Sequence, residues 1–167
     1  YTLGTGLMDP WTIGATALIP ADGTDAAALP ALMAQHNATL FAAAPGVYRR
    51  LLRSDMPAMP ALRHGLSAGE KLLDDTRNAW QTKTGTAVHE AFGMSECSTF
   101  ISGSPSNPAP PHALGFAQDG RQVAIIDNGQ PVPRGTVGTI AIHKDDAGLM
   151  LGYLNADADT AAKFDGD

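Results

Sequence analysis

From Tyr1 to about His89, short apolar runs alternate with stretches of helical spacing, and this alternation limits the fold more than any other feature. Four runs have the length and the flanking residues of buried strands: 15–19, 39–43, 62–66 and 86–91. Three stretches have helical spacing: one that begins near Asp25, one over 45–52 and one over 70–84. The pattern predicts βα units around a parallel or mixed sheet.

A segment rich in Pro, Ser and Gly, residues 102–111, then interrupts the pattern. Such a composition suits neither a helix nor a central strand. Beyond it, residues 122–126 and 139–143 have strand character, the turn sequence Asn128-Gly129 lies between them, and residues 155–163 predict one short helix. We therefore predict an α/β fold in which a βαβ-type lobe, residues 1–105, is followed by a smaller β-rich lobe, residues 106–167.

The charge of the chain indicates which kinds of partner it can bind, and its cysteine content indicates the redox state of its compartment. The chain carries 17 acidic and 11 basic side chains, a formal charge of −6, and no block of Lys and Arg, so we expect no nucleic acid partner. The single cysteine, Cys97, cannot form an intrachain disulfide, which favours a reducing compartment, the cytoplasm. His and Cys show no zinc-site spacing, and no apolar run is long enough to cross a bilayer.

Residues 91–98, Ala-Phe-Gly-Met-Ser-Glu-Cys-Ser, are the segment best suited to chemistry. A predicted strand here runs into a Gly-containing turn that places the Ser95 hydroxyl beside the Glu96 carboxylate. Because Mg²⁺ prefers one or two carboxylates together with phosphate oxygens, this turn is suited to a metal-bound phosphate. Taken by itself, the segment also fits an ordinary strand-end turn with a solvated glutamate.

A second segment, Leu66-Ser67-Ala68-Gly69-Glu70-Lys71-Leu72, joins a predicted strand to a predicted helix. Its small residues let a flat ligand approach the backbone, and the N–H groups of a helix N-terminus favour an anion. An ordinary βα turn has the same composition.

Together these segments resemble the adenylate-forming superfamily of acyl-CoA synthetases, luciferases and peptide-synthetase adenylation domains. Ordered motifs over nearly the whole chain carry the resemblance: 67–72, Trp80, Thr84-Gly85, 91–96, 135–141 and Leu151-Gly152-Tyr153-Leu154-Asn155. Within the superfamily, the chain is most similar to benzoate-CoA ligases and medium-chain acyl-CoA synthetases. The resemblance implies that the chain is part of the large N-terminal domain of an acid:CoA ligase that uses ATP, Mg²⁺ and CoA.

The resemblance also implies roles for residues around the nucleotide. Glu96 would bind the metal of Mg²⁺-ATP, and Ser95, where the family more often has Thr, would contact the α-phosphate. The residues implied to border the adenine are Gly69 and Glu70 on one side and His89, Glu90, Ala91, Phe92 and Gly93 on the other. Phe92 replaces the usual Tyr, so ring stacking is kept and a phenolic hydrogen bond is lost.

The acyl pocket is implied by comparison with the benzoate-type ligases. Its residues would be Ala43, Ala68, Gly93, Thr99 and Phe100. These are small or apolar and offer no cation to pair a second carboxylate, so a monocarboxylic aromatic or medium-chain aliphatic acid is the expected substrate.

Several parts implied by the resemblance lie outside the 167 residues. They are a phosphate-binding loop, a ribose-binding Asp and a catalytic Lys. Together with the start at Tyr1 without a Met, this leads us to expect a piece of a longer protein, although a shortened protein made for expression would look the same. Adenylation depends on holding the carboxylate and ATP in line while cations neutralise the charge that develops on the phosphates. Because the chain lacks these parts, we expect it to be inactive alone.

Two alternatives stay open at this point. The stretch Gly65-Leu66-Ser67-Ala68-Gly69 matches the G-x-S-x-G pattern of a nucleophile elbow. Asp127 and His143 come later in the chain, in the order Ser, Asp, His that hydrolases with this elbow have. These residues predict a serine hydrolase. The other alternative is a non-catalytic module that binds nucleotide weakly or docks to other parts of its parent. Such a module is expected to self-associate through exposed apolar patches.

Overall fold

The computed structural model describes residues 4–164, which contain two β-sheets. The first sheet has five strands in the order β1-β2-β3-β4-β5: β1 (Leu40–Ala43), β2 (His64–Ser67), β3 (Val88–Met94), β4 (Ser98–Ser102) and β5 (Phe116–Ala117). β1, β2 and β3 run parallel, β4 pairs antiparallel with β3, and β5 pairs antiparallel with β4. The sheet is therefore mixed.

The helices are short, and two of them connect the parallel strands. Their bounds are α1 (Asp9–Thr12), α2 (Leu29–Gln35), α3 (Pro45–Leu51), α4 (Asp74–Thr84) and α5 (Asp157–Ala161), with a π-helical turn at Gly4–Met8 and a 3₁₀ turn at Ala26–Ala28. Parallel neighbours require a crossover connection, which α3 supplies between β1 and β2 and α4 between β2 and β3. None of the helices in the described part of the chain is long and apolar enough to span a membrane.

An aromatic cluster fixes α3 and α4 to the first sheet. Phe41, Tyr48 and Trp80 have ring centroids 4.8 to 5.9 Å apart, and Tyr48 and Trp80 are fully buried. The Tyr48 hydroxyl lies 2.9 Å from the carbonyl oxygens of Phe41 and Leu66. Trp80 Nε1 donates to the Thr86 hydroxyl at 3.1 Å. Because both polar groups have partners, the rings are buried without leaving an unsatisfied donor.

The second sheet is antiparallel and has three strands in the order β7-β6-β8: β6 (Val123–Asp127), β7 (Gln130–Pro131) and β8 (Thr139–Ile142). Asn128 and Gly129 join β6 to β7 with φ values of 49° and 73°. Two successive positive φ angles belong to the turn that matches the twist of a hairpin, and Asn-Gly is its preferred sequence. The predicted antiparallel sheet is confirmed, and so is the α/β class with a parallel or mixed first sheet.

One predicted strand is wrong. Residues 15–19 form no strand, and within this apolar run Leu18 and Ile19 are 50% and 71% exposed. An apolar run becomes a strand only when another strand pairs with its backbone, and the first sheet begins at β1.

The helix predicted over residues 70–84 starts later than expected. α4 begins at Asp74, because Leu73 before it has the extended conformation φ −68°, ψ 143°. Its end is as predicted, since Gly85 adopts the left-handed conformation with φ 74° and caps the helix. The delayed start leaves residues 68–73 as an open loop after β2.

The predicted division at residue 105 stays a prediction. β5, which lies beyond residue 105, pairs with β4 and so belongs to the first sheet. The Pro-rich segment is thus followed by one further strand of that sheet before the second sheet begins.

Candidate functional site

The carboxyl ends of the parallel strands gather most of the predicted site residues at one edge of the first sheet. The strand register places Ala43 of β1 beside Ser67 of β2, and Ser67 beside Glu90 of β3. The loop after β2 carries Gly69, and the turn after β3 carries Glu96. Ligands of open α/β sheets bind at this edge, where the loops leave the strands.

A cleft of about 680 Å³ opens at this edge. Its walls are the loop between β2 and α4, the middle of β3 and the Pro-rich segment 109–114. Six of the seven residues predicted to border the nucleotide line it: Gly69, Glu70, Glu90, Ala91, Phe92 and Gly93. The volume lies within the roughly 300–1,000 Å³ typical of small-molecule sites. The structure therefore gathers most of the predicted nucleotide contacts in one cavity.

The Glu90 carboxylate is already engaged within the protein. Its Oε2 accepts a hydrogen bond from Arg77 Nη2 at 2.6 Å, and its Oε1 accepts one from the Leu72 N–H at 2.9 Å. Arg77 Nη1 also donates to the Val88 carbonyl oxygen at 2.6 Å. Glu90 is 7% exposed and the Arg77 side chain is 29% exposed, so this is a hydrogen-bonded ion pair with a buried carboxylate. Glu90 thus shapes the cleft by holding the β2–α4 loop against β3.

His89 lies apart from the cleft. It is 8% exposed, its ring packs edge-on against His64 at a centroid distance of 5.8 Å, and its Nε2 has no hydrogen-bond partner among residues 4–164. Burial lowers the pKa of His89, and the nearby charge of His64 lowers it further. The His64 pKa is lowered as well, chiefly by burial. Both rings are therefore neutral near pH 7, and the predicted adenine contact of His89 stays a prediction.

The turn after β3 presents Ser95 and Glu96. Ser95 is exposed, and Glu96 is partly buried. The Tyr153 hydroxyl donates to Glu96 Oε1 at 2.5 Å, and this bond is the main reason that the Glu96 pKa is lowered. A hydrogen bond from its own backbone N–H lowers the Glu96 pKa further. Glu96 is therefore ionised at neutral pH and carries the charge that a metal ligand requires.

The donor set fits a nucleotide-bound Mg²⁺ better than a metal held by protein alone. Within the described residues, no group of three or more His, Cys, Asp and Glu side chains is placed to hold a metal ion. One carboxylate, Glu96, with the Ser95 hydroxyl beside it, suits a cation that takes its other ligands from phosphate oxygens and water.

Gly93 stands where the antiparallel strands β3 and β4 approach each other closely. A Cβ at this position would collide with the backbone of Ser98 and Thr99. The pairing of β3 with β4 also shifts register between Phe92 and Gly93. Such irregularities redirect the strand next to a site, and here only glycine fits.

The residues predicted for the acyl pocket do not share one cavity. Thr99 lines a second cavity of about 140 Å³ and Gly93 lines the large cleft, whereas Ala43, Ala68 and Phe100 line neither. Phe100 is 1% exposed and packs edge-on against Phe92 at 5.5 Å. The acyl-pocket set therefore stays a prediction.

The geometry gives no support to the serine hydrolase alternative. A nucleophile elbow exposes its serine on a strained turn after the strand. Ser67 is instead the last residue of β2, it is fully buried, and its φ is not positive. Asp127 belongs to the second sheet, and His143 directly follows a strand of that sheet.

Two residues at the site escaped sequence reasoning. Arg77 and Tyr153 contact Glu90 and Glu96, from which they are separated by 13 and 57 positions. Glu90 lies in a strand that was predicted to be buried, and a Glu is almost never buried unless it is paired. The sequence therefore indicated that Glu90 has a partner, but no local pattern indicates which basic residue it is. The stretch Leu151-Gly152-Tyr153-Leu154-Asn155, which carries part of the family resemblance, includes Tyr153 but does not indicate its contact with Glu96.

Matches to known proteins agree with this geometry. Residues 1–154 match the family described as AMP-binding enzyme. The human mitochondrial acyl-coenzyme A synthetase ACSM2A is 31% identical over 170 residues, which cover 96% of this chain and 29% of the relative. The chain thus spans less than a third of the length of this curated relative.

Solved structures share the fold. A benzoate CoA ligase from Burkholderia xenovorans LB400 superposes with a TM-score of 0.85 at 29% identity, over 97% of this chain and 34% of that one. The anthranilate CoA ligase AuaEII, solved with anthranoyl-AMP, superposes with a TM-score of 0.84 at 25% identity, over 99% and 33%. Because the family match covers residues 1–154, the chain belongs to the AMP-binding enzyme family, and the relatives described above are acyl-CoA synthetases and CoA ligases.

Proposed function

We propose that the native protein containing this chain is an ATP-dependent acid:CoA ligase. It forms an acyl-adenylate from a carboxylic acid and ATP with release of pyrophosphate, and the acyl group then passes to the CoA thiol with release of AMP. The observation that carries the proposal is the 680 Å³ cleft, which six of the predicted nucleotide-bordering residues line at the carboxyl edge of the parallel strands.

The residues divide into three roles in this proposal. Phe92 and the backbone around Gly69 border the adenine, because both line the cleft and Phe92 offers an aromatic face. Ser95 donates a hydrogen bond to the α-phosphate. Glu96 holds Mg²⁺, which when bound supplies charge neutralisation for the phosphates.

The acid is proposed to be a monocarboxylic aromatic or medium-chain aliphatic acid. Phe92 and Phe100 form an apolar pair beside the turn, and the nearby Arg121 is neutralised by Asp146, with 3.3 Å between Arg121 Nε and Asp146 Oδ2. A second carboxylate on the substrate would therefore find no unpaired Arg121. Two superposed structures are a benzoate and an anthranilate CoA ligase, and both are named for aromatic acids.

The 167-residue chain by itself is proposed to be inactive. The phosphate-binding loop, the ribose-binding Asp and the catalytic Lys that the resemblance implies are not among its residues.

The proposal also includes a reducing compartment, the cytoplasm, because Cys97 is a buried free thiol. Several relatives carry the word mitochondrial in their names, so fractionation of cells that express the native protein is the test.

ATP-pyrophosphate exchange tests the reaction. The native protein is assayed with benzoate, substituted benzoates and C4 to C10 fatty acids, beside Glu96→Ala and the control Asp75→Ala. Asp75 is an exposed carboxylate on α4, outside the turn that carries Ser95 and Glu96. We expect exchange with one class of acid, its loss in Glu96→Ala and its retention in Asp75→Ala.

Three results would count against parts of this proposal. Folded native protein that shows no exchange with any acid would favour the non-catalytic module. Exchange retained in Glu96→Ala would remove the metal role of Glu96. Pyrophosphate release by the 167-residue chain alone would contradict its proposed inactivity.

A further inference from the structure

The Glu96 carboxylate is held by a residue far away in the sequence. The Tyr153 hydroxyl donates to Glu96 Oε1 at 2.5 Å across 57 positions, and both residues are partly buried. A hydrogen bond to an ionised acceptor is short and about twice as strong as a neutral one. A glutamate side chain that is free on a turn loses conformational entropy when it binds a ligand. The bond from Tyr153 restricts Glu96 before binding and so reduces this cost.

The backbone around Tyr153 is itself anchored. The Met150 N–H donates to the Glu96 carbonyl oxygen at 2.6 Å, which ties the main chain of the two segments together. The Tyr153 N–H donates to Thr160 Oγ1 at 2.8 Å, and the Thr160 hydroxyl donates to the Ala156 carbonyl oxygen at 3.0 Å. We name residues 150–160 the strap. The phenol of Tyr153 is thus presented from a fixed backbone.

The next carbonyl oxygen along the turn is held as well. The Arg121 guanidinium donates to the carbonyl oxygen of Cys97, the residue after Glu96. Asp146, whose side chain is fully buried, pairs with Arg121 and accepts from the Gly148 N–H at 2.9 Å. Two successive carbonyl oxygens, those of Glu96 and Cys97, are therefore held by residues of the second half of the chain.

We propose that Tyr153 is a positioning residue that holds the Glu96 carboxylate in the orientation in which it meets a nucleotide-bound cation. The inference rests on the metal role of Glu96 under the proposed function. The phenol holds one oxygen of the carboxylate, and the ionised carboxylate would supply its charge to the cation when a cation is bound. Partners that orient a metal ligand in this way typically contribute about 10- to 100-fold to metal affinity or activity.

The test measures cation binding directly. Mn²⁺ replaces Mg²⁺, and its binding to the native protein is followed by electron paramagnetic resonance in the presence of a non-hydrolysable ATP analogue. Tyr153→Phe removes only the hydroxyl. Tyr48→Phe is the matched control, because it makes the same chemical change at a buried tyrosine whose hydroxyl bonds backbone carbonyls in the core. Glu96→Ala reports the metal role itself.

We expect Tyr153→Phe to weaken Mn²⁺ binding about 10-fold and to raise the Mg²⁺ concentration for half-maximal exchange by a similar factor. Tyr48→Phe should lower the melting temperature and leave Mn²⁺ affinity unchanged. Wild-type Mn²⁺ affinity in folded Tyr153→Phe would overturn the positioning role while leaving the proposed function intact. Wild-type affinity in Glu96→Ala would instead remove the metal role of Glu96, and the inference with it.

Thr160→Val provides a second variant that keeps the phenol. It removes the acceptor of the Tyr153 N–H and so loosens the strap. We expect weaker Mn²⁺ binding than in the wild type, by a smaller factor than in Tyr153→Phe. An effect larger than that of Tyr153→Phe would assign the positioning to the strap backbone and overturn the role of the phenol.

Discussion

Arg77 Nη2 lies 2.6 Å from Glu90 Oε2, and this ion pair joins α4 to β3 beside the candidate nucleotide cleft. The Arg77 side chain is 29% exposed and that of Glu90 is 8% exposed. The same carboxylate accepts the Leu72 N–H, so one ion pair fixes both a helix and the loop before it.

Replacing Arg77 by Met should destabilise the fold strongly. The substitution leaves the Glu90 carboxylate buried without its cation, which typically costs about 3–5 kcal/mol. Urea unfolding of the 167-residue chain measures the change in the free energy of unfolding. In the double variant with Glu90→Gln, which carries no buried charge, we expect part of the loss to be recovered. A loss of less than about 1 kcal/mol in the single variant would show that the pair contributes as little as a surface ion pair.

The two tryptophans should differ sharply in their contribution to stability. Trp80 is fully buried in the aromatic cluster, whereas Trp11 is 62% exposed. Trp80→Ala should cost about 3–5 kcal/mol because it leaves a cavity between α4 and the sheet. Trp11→Ala is the matched control and should change the free energy of unfolding by about 0.5 kcal/mol or less. Similar losses in urea unfolding of both variants would contradict the described core.

The buried His89 and the partly buried His64 should make stability fall in mild acid. Burial lowers the pKa of His64 and His89, so the unfolded chain takes up protons at a higher pH than the folded chain. Their neutral forms favour the fold above the unfolded value of about 6.5, and stability is lost as pH falls from there toward the lowered pKa values. The free energy of unfolding, measured between pH 8 and pH 5, should drop less in His89→Gln than in the wild type. Parallel pH profiles for the two proteins would contradict this account.

The 167-residue chain by itself should self-associate. Several large apolar side chains are highly exposed: Ile13 at 81%, Val137 at 93%, Leu151 at 103% and Leu154 at 91%. Apolar side chains in such positions favour association when nothing covers them. Sedimentation velocity at rising protein concentration measures the effect, and the double variant Leu151→Ser with Leu154→Ser should associate less. If the chain stays monomeric at all concentrations, the self-association expected of a non-catalytic module is contradicted.

Sequence reasoning succeeded where the signal was local. The order of strand and helix from Asp25 to residue 91, the left-handed cap at Gly85 and the Asn128-Gly129 hairpin each depend on neighbouring residues, and the structure confirms them. Periodicity and turn chemistry act over a few positions, so they can be recognised without knowing what packs against them. The motifs around Ser67 and Glu96 indicated the family in the same way.

Only the tertiary structure decided what depends on distant partners. Residues 15–19 have the composition of a strand and form none, since strand formation needs a neighbour that no local pattern supplies. The contacts of Arg77 with Glu90 and of Tyr153 with Glu96 arise because folding brings separate elements to one sheet edge. The sequence by itself determined the fold class, the family and the chemical groups of the candidate site, and the packing of its elements decided how those groups are held.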